Sequence, residues 1–238
     1  MNFPIWELHA AGGGLLVALI AVFHVYIAHF SVGGGLFLVT MEHMAYRKND
    51  HQLLEYINRH TKFFLIVTMV LGGITGVGIW FIISLLSPHS TTILIHTFVF
   101  AWATEWVFFL GEIVSLFLYF YLFGKIRRSL HLAMGWMYFV CGWMSLFIIN
   151  GIIGFMLTPG DWLTTGNFWD GFFNPSFWPA LVLRTAFSLT LAGLYGLVTA
   201  AWEKDAATRE RLVRINAIWL ILPFAVVFPS GWWYLQTV

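Results

Sequence analysis

Six stretches of this chain, at roughly 14–40, 63–87, 92–122, 130–157, 178–202 and 213–236, are nearly free of charge, and each exceeds the ~20 residues that an α-helix needs to cross a bilayer. Backbone immersed in lipid must satisfy its own N–H and C=O groups, so such runs form helices. The sequence therefore predicts an all-α, polytopic membrane protein: a six-transmembrane-helix bundle making a single transmembrane domain over 1–238. Composition agrees, since 60% of the residues are hydrophobic, 19% aromatic and 10% charged.

The few charges are unevenly placed. Of the twelve Lys and Arg residues, eleven fall in three predicted loops: Arg47, Lys48, Arg59 and Lys62; Lys125, Arg127 and Arg128; Lys204, Arg209, Arg211 and Arg214. The loops around SPHSTT and TPGDWLTTGNFWDGFFNPSF have none, which by the positive-inside rule predicts an N-out/C-out topology. The second of these, rich in Trp, Phe, Gly and Pro, is expected to lie along the outer interface as an aromatic shelf. A net charge of +1 with cations so localised argues against nucleic acid as a partner. The single cysteine, Cys141, excludes an internal disulfide, and without a C-x-x-C-H motif this chain carries no covalent haem c. The opening MNFPIWELHAAGGG lacks the basic region of a signal peptide and is expected to be retained.

The residues that lipid should reject are His24, His29, Glu105, Glu112 and Arg184. Ionisable groups within spans face the bundle interior and mark cofactor, ion or proton sites. His24 lies about ten residues inward on the first span, Glu105 about thirteen on the third and Arg184 about six on the fifth. At ~1.5 Å per residue, all three fall in the outer half, where a shared site is geometrically open to them. At about 100° per residue His24 and His29 point roughly 140° apart and cannot serve one site. Ala21, Ala28 and Ser31 flank His24, whereas Val25, Tyr26 and Val32 flank His29. A flat macrocycle needs small neighbours, so His24 is the better candidate for an axial haem ligand, the alternative being a neutral imidazole bonded to a carbonyl.

Glu105 and Glu112, seven apart, share one stripe and read either as steps of a proton path or as structural carboxyl groups bonded across helices. Arg184 cannot shed its charge; it must meet Glu105, a cofactor propionate or the outer water layer. His9, His89 and His96 are expected near the outer surface, and His43, His51, His60 and His131 at the cytoplasmic side, solvated or interfacial. Glu42 ends the first span, where proton uptake and plain solvation compete. Met144 and Met156 are potential thioether ligands but read first as core filling. In LGGITGVG, Gly72 and Gly76 have the small-xxx-small spacing that lets helices approach closely, and Gly33 to Gly35 offer the same.

The order of several short motifs resembles the N-terminal half of subunit I of the cytochrome bd quinol oxidases. They are FH at 23–24, TME at 40–42, GGITG at 72–76, TEWVFFLGE with Glu105 and Glu112, NG at 150–151 and FFNP at 172–175. The resemblance implies that His24 ligates a haem b of a high-spin pair and that Glu105 serves in haem ligation or proton delivery. Glu112 matches the second family glutamate after a one-residue shift. Where the family has the histidine of its low-spin haem, this chain reads LVLRTAF, with Arg184 at that place. The later helices, the large quinol-binding loop and the remaining haem ligands have no counterpart in these six spans, which implies that this chain alone is not a complete quinol oxidase. The implied role is a haem-b membrane subunit of a respiratory electron-transfer complex in the bacterial inner membrane. Such a subunit relays electrons between quinol or a companion membrane subunit and a c-type cytochrome on the outer face. The competing readings are a cofactor-free anchor or assembly subunit and a proton conductor using Glu105 and Glu112.

Overall fold

The computed structural model describes residues 5–8 and 12–238, so His9 lies outside the described residues. Nine helices are described: α1 (Gly13–Lys48), α2 (His51–Leu86), α3 (Pro88–Thr97), α4 (Val99–Tyr121), α5 (Arg128–Leu157), α6 (Trp162–Thr165), α7 (Phe168–Phe172), α8 (Phe177–Ala200) and α9 (Ala206–Leu235). Among them α1, α2, α4, α5, α8 and α9 are long and apolar enough to cross a membrane, and no strand occurs among the described residues.

The helices outrun the apolar stretches at the basic end. α1 continues to Lys48, stops where Asn49 adopts a left-handed conformation (φ 51), and α2 begins at once, with the Asp50 side chain accepting from Leu53 N at 3.0 Å. Arg59 and Lys62, expected in a loop, therefore sit on α2. A helix terminus that ends on Arg47 and Lys48 is stabilised by its own dipole. The first half of α2 is amphipathic, burying Leu53, Tyr56, Ile57, His60, Thr61 and Phe64 at helical spacing. A π-helical stretch at Ile66–Leu71 then widens the turn; the second half still packs on α1 but buries none of Gly72–Leu86.

The run predicted as one span from 92 is broken at Phe98, whose backbone (φ −118, ψ 30) leaves the helical region between α3 and α4. Its ring explains the break: it is fully buried against Phe155 at 4.9 Å and Phe168 at 5.7 Å. The aromatic loop expected as a surface shelf likewise reaches inward. Phe172 is buried against Phe177, and the amide of Asn174 donates to the carbonyls of Gly151 at 3.0 Å and Gly171 at 3.1 Å, tying the loop to α5.

α1 is the centre of the bundle, packed on α2, α5 and α8. Three consecutive glycines make that possible, because successive helical residues point about 100° apart. A Cβ at Gly33 would overlap the Ser188 carbonyl of α8, one at Gly34 the Phe64 ring of α2, and one at Gly35 would come within 2.5 Å of the Tyr138 ring of α5. Close backbone approach through small residues is how helices associate where lipid supplies no hydrophobic drive. Gly33→Ala should cost about 1–3 kcal/mol by overpacking, whereas Gly73→Ala, with nothing within 4 Å, should be near neutral. Thermal unfolding of the two variants in detergent checks the contrast.

Candidate functional site

Polar groups within the bundle fall in tiers. α4 presents Glu105, Glu112 and Tyr119 at intervals of seven, and antiparallel α5 answers with Ser145, Tyr138 and His131 at the same interval. Seven residues are almost two turns, so each set makes a stripe with steps of ~10 Å. In the first tier Ser145 Oγ donates to Glu105 Oε1 at 2.5 Å. In the second, Ser31 of α1 donates to Glu112 Oε1 at 2.5 Å, and the Tyr138 hydroxyl lies 2.6 Å from Ser31 Oγ and 3.1 Å from that same carboxylate oxygen.

The third tier is the most completely enclosed. Tyr119 donates to Glu42 Oε2 at 2.6 Å, while His131 Nδ1 lies 2.6 Å from Glu42 Oε1 and Nε2 lies 2.8 Å from the Tyr119 carbonyl. A carbonyl only accepts, so Nε2 carries hydrogen, and one further proton is shared between Nδ1 and Glu42. This corrects the expectation of solvation: Glu42, His131 and also His60 are buried, because α1 extends past them to Lys48 and closes that end of the bundle. His43, His51, His89 and His96 are exposed as expected.

His24 lies elsewhere, half-buried against the second half of α2. Its Nδ1 is 3.1 Å from Thr75 Oγ1, and the Thr75 hydroxyl donates to the Leu71 carbonyl at 2.7 Å. With that hydrogen spent, Thr75 accepts, so Nδ1 is the donor and the His24 Nε2 lone pair is uncommitted. Gly76 flanks the ring, and a Cβ there would stand 3.1 Å from Cε1. The small residues beside His24 are thus the α2 glycines more than its own helix neighbours; Ser31, expected at its side, serves Glu112. His29 faces α8: its Nδ1 donates to the Val25 carbonyl of its own helix at 2.6 Å, and the ring meets Phe187 of α8 edge-on at 5.6 Å. The two histidines do occupy opposite sides of α1.

The remaining expected groups stay apart. No hydrogen bond or ion pair joins His24, Glu105 and Arg184. The ion pairs among the described residues are Arg59 with Glu55 and Glu203, His131 with Glu42, Arg211 with Asp50, and Arg214 with Glu210; none involves Arg184. Met144 is half-buried and Met156 exposed. Among the described residues, no three His, Cys, Asp or Glu side chains converge to hold a metal ion. What His24 offers is a single ring nitrogen rather than a place in a cluster.

Sequence reasoning passed over Thr75, Ser145, Tyr138 and Tyr119, and took His131 as solvated. The signal that would have found four of them is the seven-residue spacing of α4, repeated in reverse on α5. His131→Ala removes both bonds of a buried imidazole and leaves Glu42 short of a partner, so it should cost roughly 1–3 kcal/mol, against almost nothing for exposed His43→Ala. Chemical denaturation of the two variants measures the difference.

With this geometry in place, comparisons with known proteins are informative. A family profile described as cytochrome bd terminal oxidase subunit I matches residues 15–238. The solved structure of the bd oxidase from Geobacillus thermodenitrificans matches with a TM-score of 0.82 at 21% identity, over 92% of this chain and 53% of that chain. That likeness is one of fold, and the chain spans about half the length of the protein it matches. No curated protein sequence matches.

Proposed function

The chain belongs to the cytochrome bd terminal oxidase subunit I family, and on that premise we propose that it is a haem-b-binding membrane subunit of a respiratory electron-transfer complex. In this reading it relays electrons between quinol or a companion membrane subunit and a c-type cytochrome outside, in the bacterial inner membrane. Its eleven-residue basic end faces the cytoplasm, which puts both termini outside.

One observation carries the reading. His24 has Nδ1 oriented by Thr75, Nε2 unspent and Gly76 alongside. A ligating histidine needs its second nitrogen held by an outer partner, which fixes the tautomer and raises the basicity of the first. Gly76 gives the imidazole room to take that orientation against α2. The residues present fit the group. Bound there, haem b supplies one-electron redox chemistry.

The other residues act around it. Arg184, a permanent cation without a carboxylate partner among the described residues, neutralises a propionate. Glu105, half-buried and held by Ser145, is a second ligand or a proton acceptor. Glu112 holds or passes a proton through Ser31 and Tyr138, whose hydroxyl groups both donate and accept. The pairing of Glu42, Glu112, His29 and His131 within the chain also suits a second reading, a cofactor-free anchor, since these groups need no ligand.

A reduced-minus-oxidised spectrum separates the two. A haem b band in the purified complex that His24→Ala abolishes supports the first reading, and a colourless preparation overturns it. Thr75→Val should keep the band but weaken haem retention about 10–100-fold, as loss of an outer partner does; haem titration of the stripped protein reads this out.

A further inference from the structure

At the basic end a cleft of about 360 Å³ opens between α2, α8 and the α8–α9 connection, lined by Tyr56, Arg59, His60, Thr199, Trp202, Glu203 and Lys204. It lies on the opposite half of α2 from Thr75 and Gly76. Its floor holds an unsatisfied group: His60 is fully buried, and its Nε2 has no hydrogen-bond partner. The His60 Nδ1 is 2.7 Å from Thr199 Oγ1, closer than the Gly196 carbonyl at 3.1 Å or the Tyr195 carbonyl at 3.3 Å. With the Thr199 hydrogen given to Nδ1, the tautomer this pairing allows has Nε2 as an N–H donor facing no acceptor. The other floor group is satisfied, with the Tyr56 hydroxyl donating to the Gly196 carbonyl at 2.9 Å and accepting from Asn216 Nδ2 at 3.1 Å. A buried polar atom without a partner is uncommon in a native protein, and of the five such atoms among the described residues only His60 Nε2 belongs to a residue lining this cleft.

The rim states the sign of that ligand. Arg59 is taken up by Glu203 and, at 3.5 Å, by Glu55, so the Glu203 charge is already neutralised and Arg59 is spent. Lys204 is exposed, and none of the ion pairs among the described residues involves it. The cleft thus has a surplus cation above a buried N–H. Trp202, 65% exposed and edge-on to Phe63 at 5.7 Å, forms an apolar wall of the kind that sits at headgroup level in membranes.

We propose that this cleft binds the phosphate group of an anionic phospholipid. His60 Nε2–H donates to a phosphate oxygen, Lys204 supplies the charge, and the Trp202 ring packs on the glycerol. The inference is independent of the haem reading, because it uses none of the same residues.

The test uses the intact purified complex, delipidated in detergent and then titrated with phosphatidylglycerol or with inorganic phosphate. Native mass spectrometry counts bound lipid and the ¹⁵N signal of His60 Nε2 reports the contact. One tightly held phosphatidylglycerol per chain, a moved His60 signal, and affinity weakened roughly fivefold by Lys204→Gln but not by Lys125→Gln are expected. Lys204 is exposed, so that variant tests the site even if His60→Asn loosens the fold. A His60 signal moved equally by inorganic phosphate and unmoved by lipid overturns the lipid as occupant. Lipid retention indifferent to Lys204→Gln, or a His60 signal that neither probe moves, overturns the site.

Discussion

Within an apolar bundle every polar side chain has to find its partner from the protein, and the junction of α1, α4 and α5 is arranged around that requirement. Three tiers of carboxyl, hydroxyl and imidazole groups pair across it, each closed by groups from two or three helices. An unpaired member would be costly in so apolar a setting, so these tiers fix the register of α4 against α5 and the rotation of α1 between them. The rest of the structure is hung on that junction: α2 and α8 dock on the faces of α1 that remain.

The groups that stand outside this closed network are the informative ones. His24 keeps a lone pair uncommitted, Arg184 a charge without a counter-ion among the described residues, and His60 an N–H without an acceptor. His60 lies before the π-helical stretch of α2 and Thr75 after it, so one span serves two of these groups.

Much of this was legible in the sequence, for reasons that can be named. Hydropathy finds a crossing helix wherever lipid forbids anything else, and helical periodicity separated His24 from His29 before any coordinates. Gly72 and Gly76 meet only side chains of α1, Ile27 at 3.4 Å and His24 at 3.1 Å from a Cβ, whereas the close approach to a neighbouring backbone occurs at Gly33. Burial near the helix ends was not legible. Glu42 and His131 lie at the margins of apolar runs, and hydropathy has no means of telling a wet margin from one covered by helices that continue beyond it. Phe98 was hidden for the opposite reason: nothing in an unbroken apolar run announces a kink set by where one ring packs. Ser145, Tyr119 and Tyr138 escaped notice, and Ser31 was read only as a small neighbour of His24, because hydroxyl groups barely alter hydropathy, although a carboxylate in lipid has need of them.

The matched seven-residue stripes of α4 and α5 also constrain how such a chain can change over generations. Inserting one residue between Glu105 and Tyr119 would swing everything beyond it by about 100° and dissolve one or more pairings at a stroke. Lengthening this part of either helix is tolerable only in near-whole heptads, made on both helices together. The segments free to drift in length are those outside the ladder, above all the α5–α8 loop beyond its Asn174 tether, so divergence in this chain should accumulate as loop variation around a helical pair of fixed gauge.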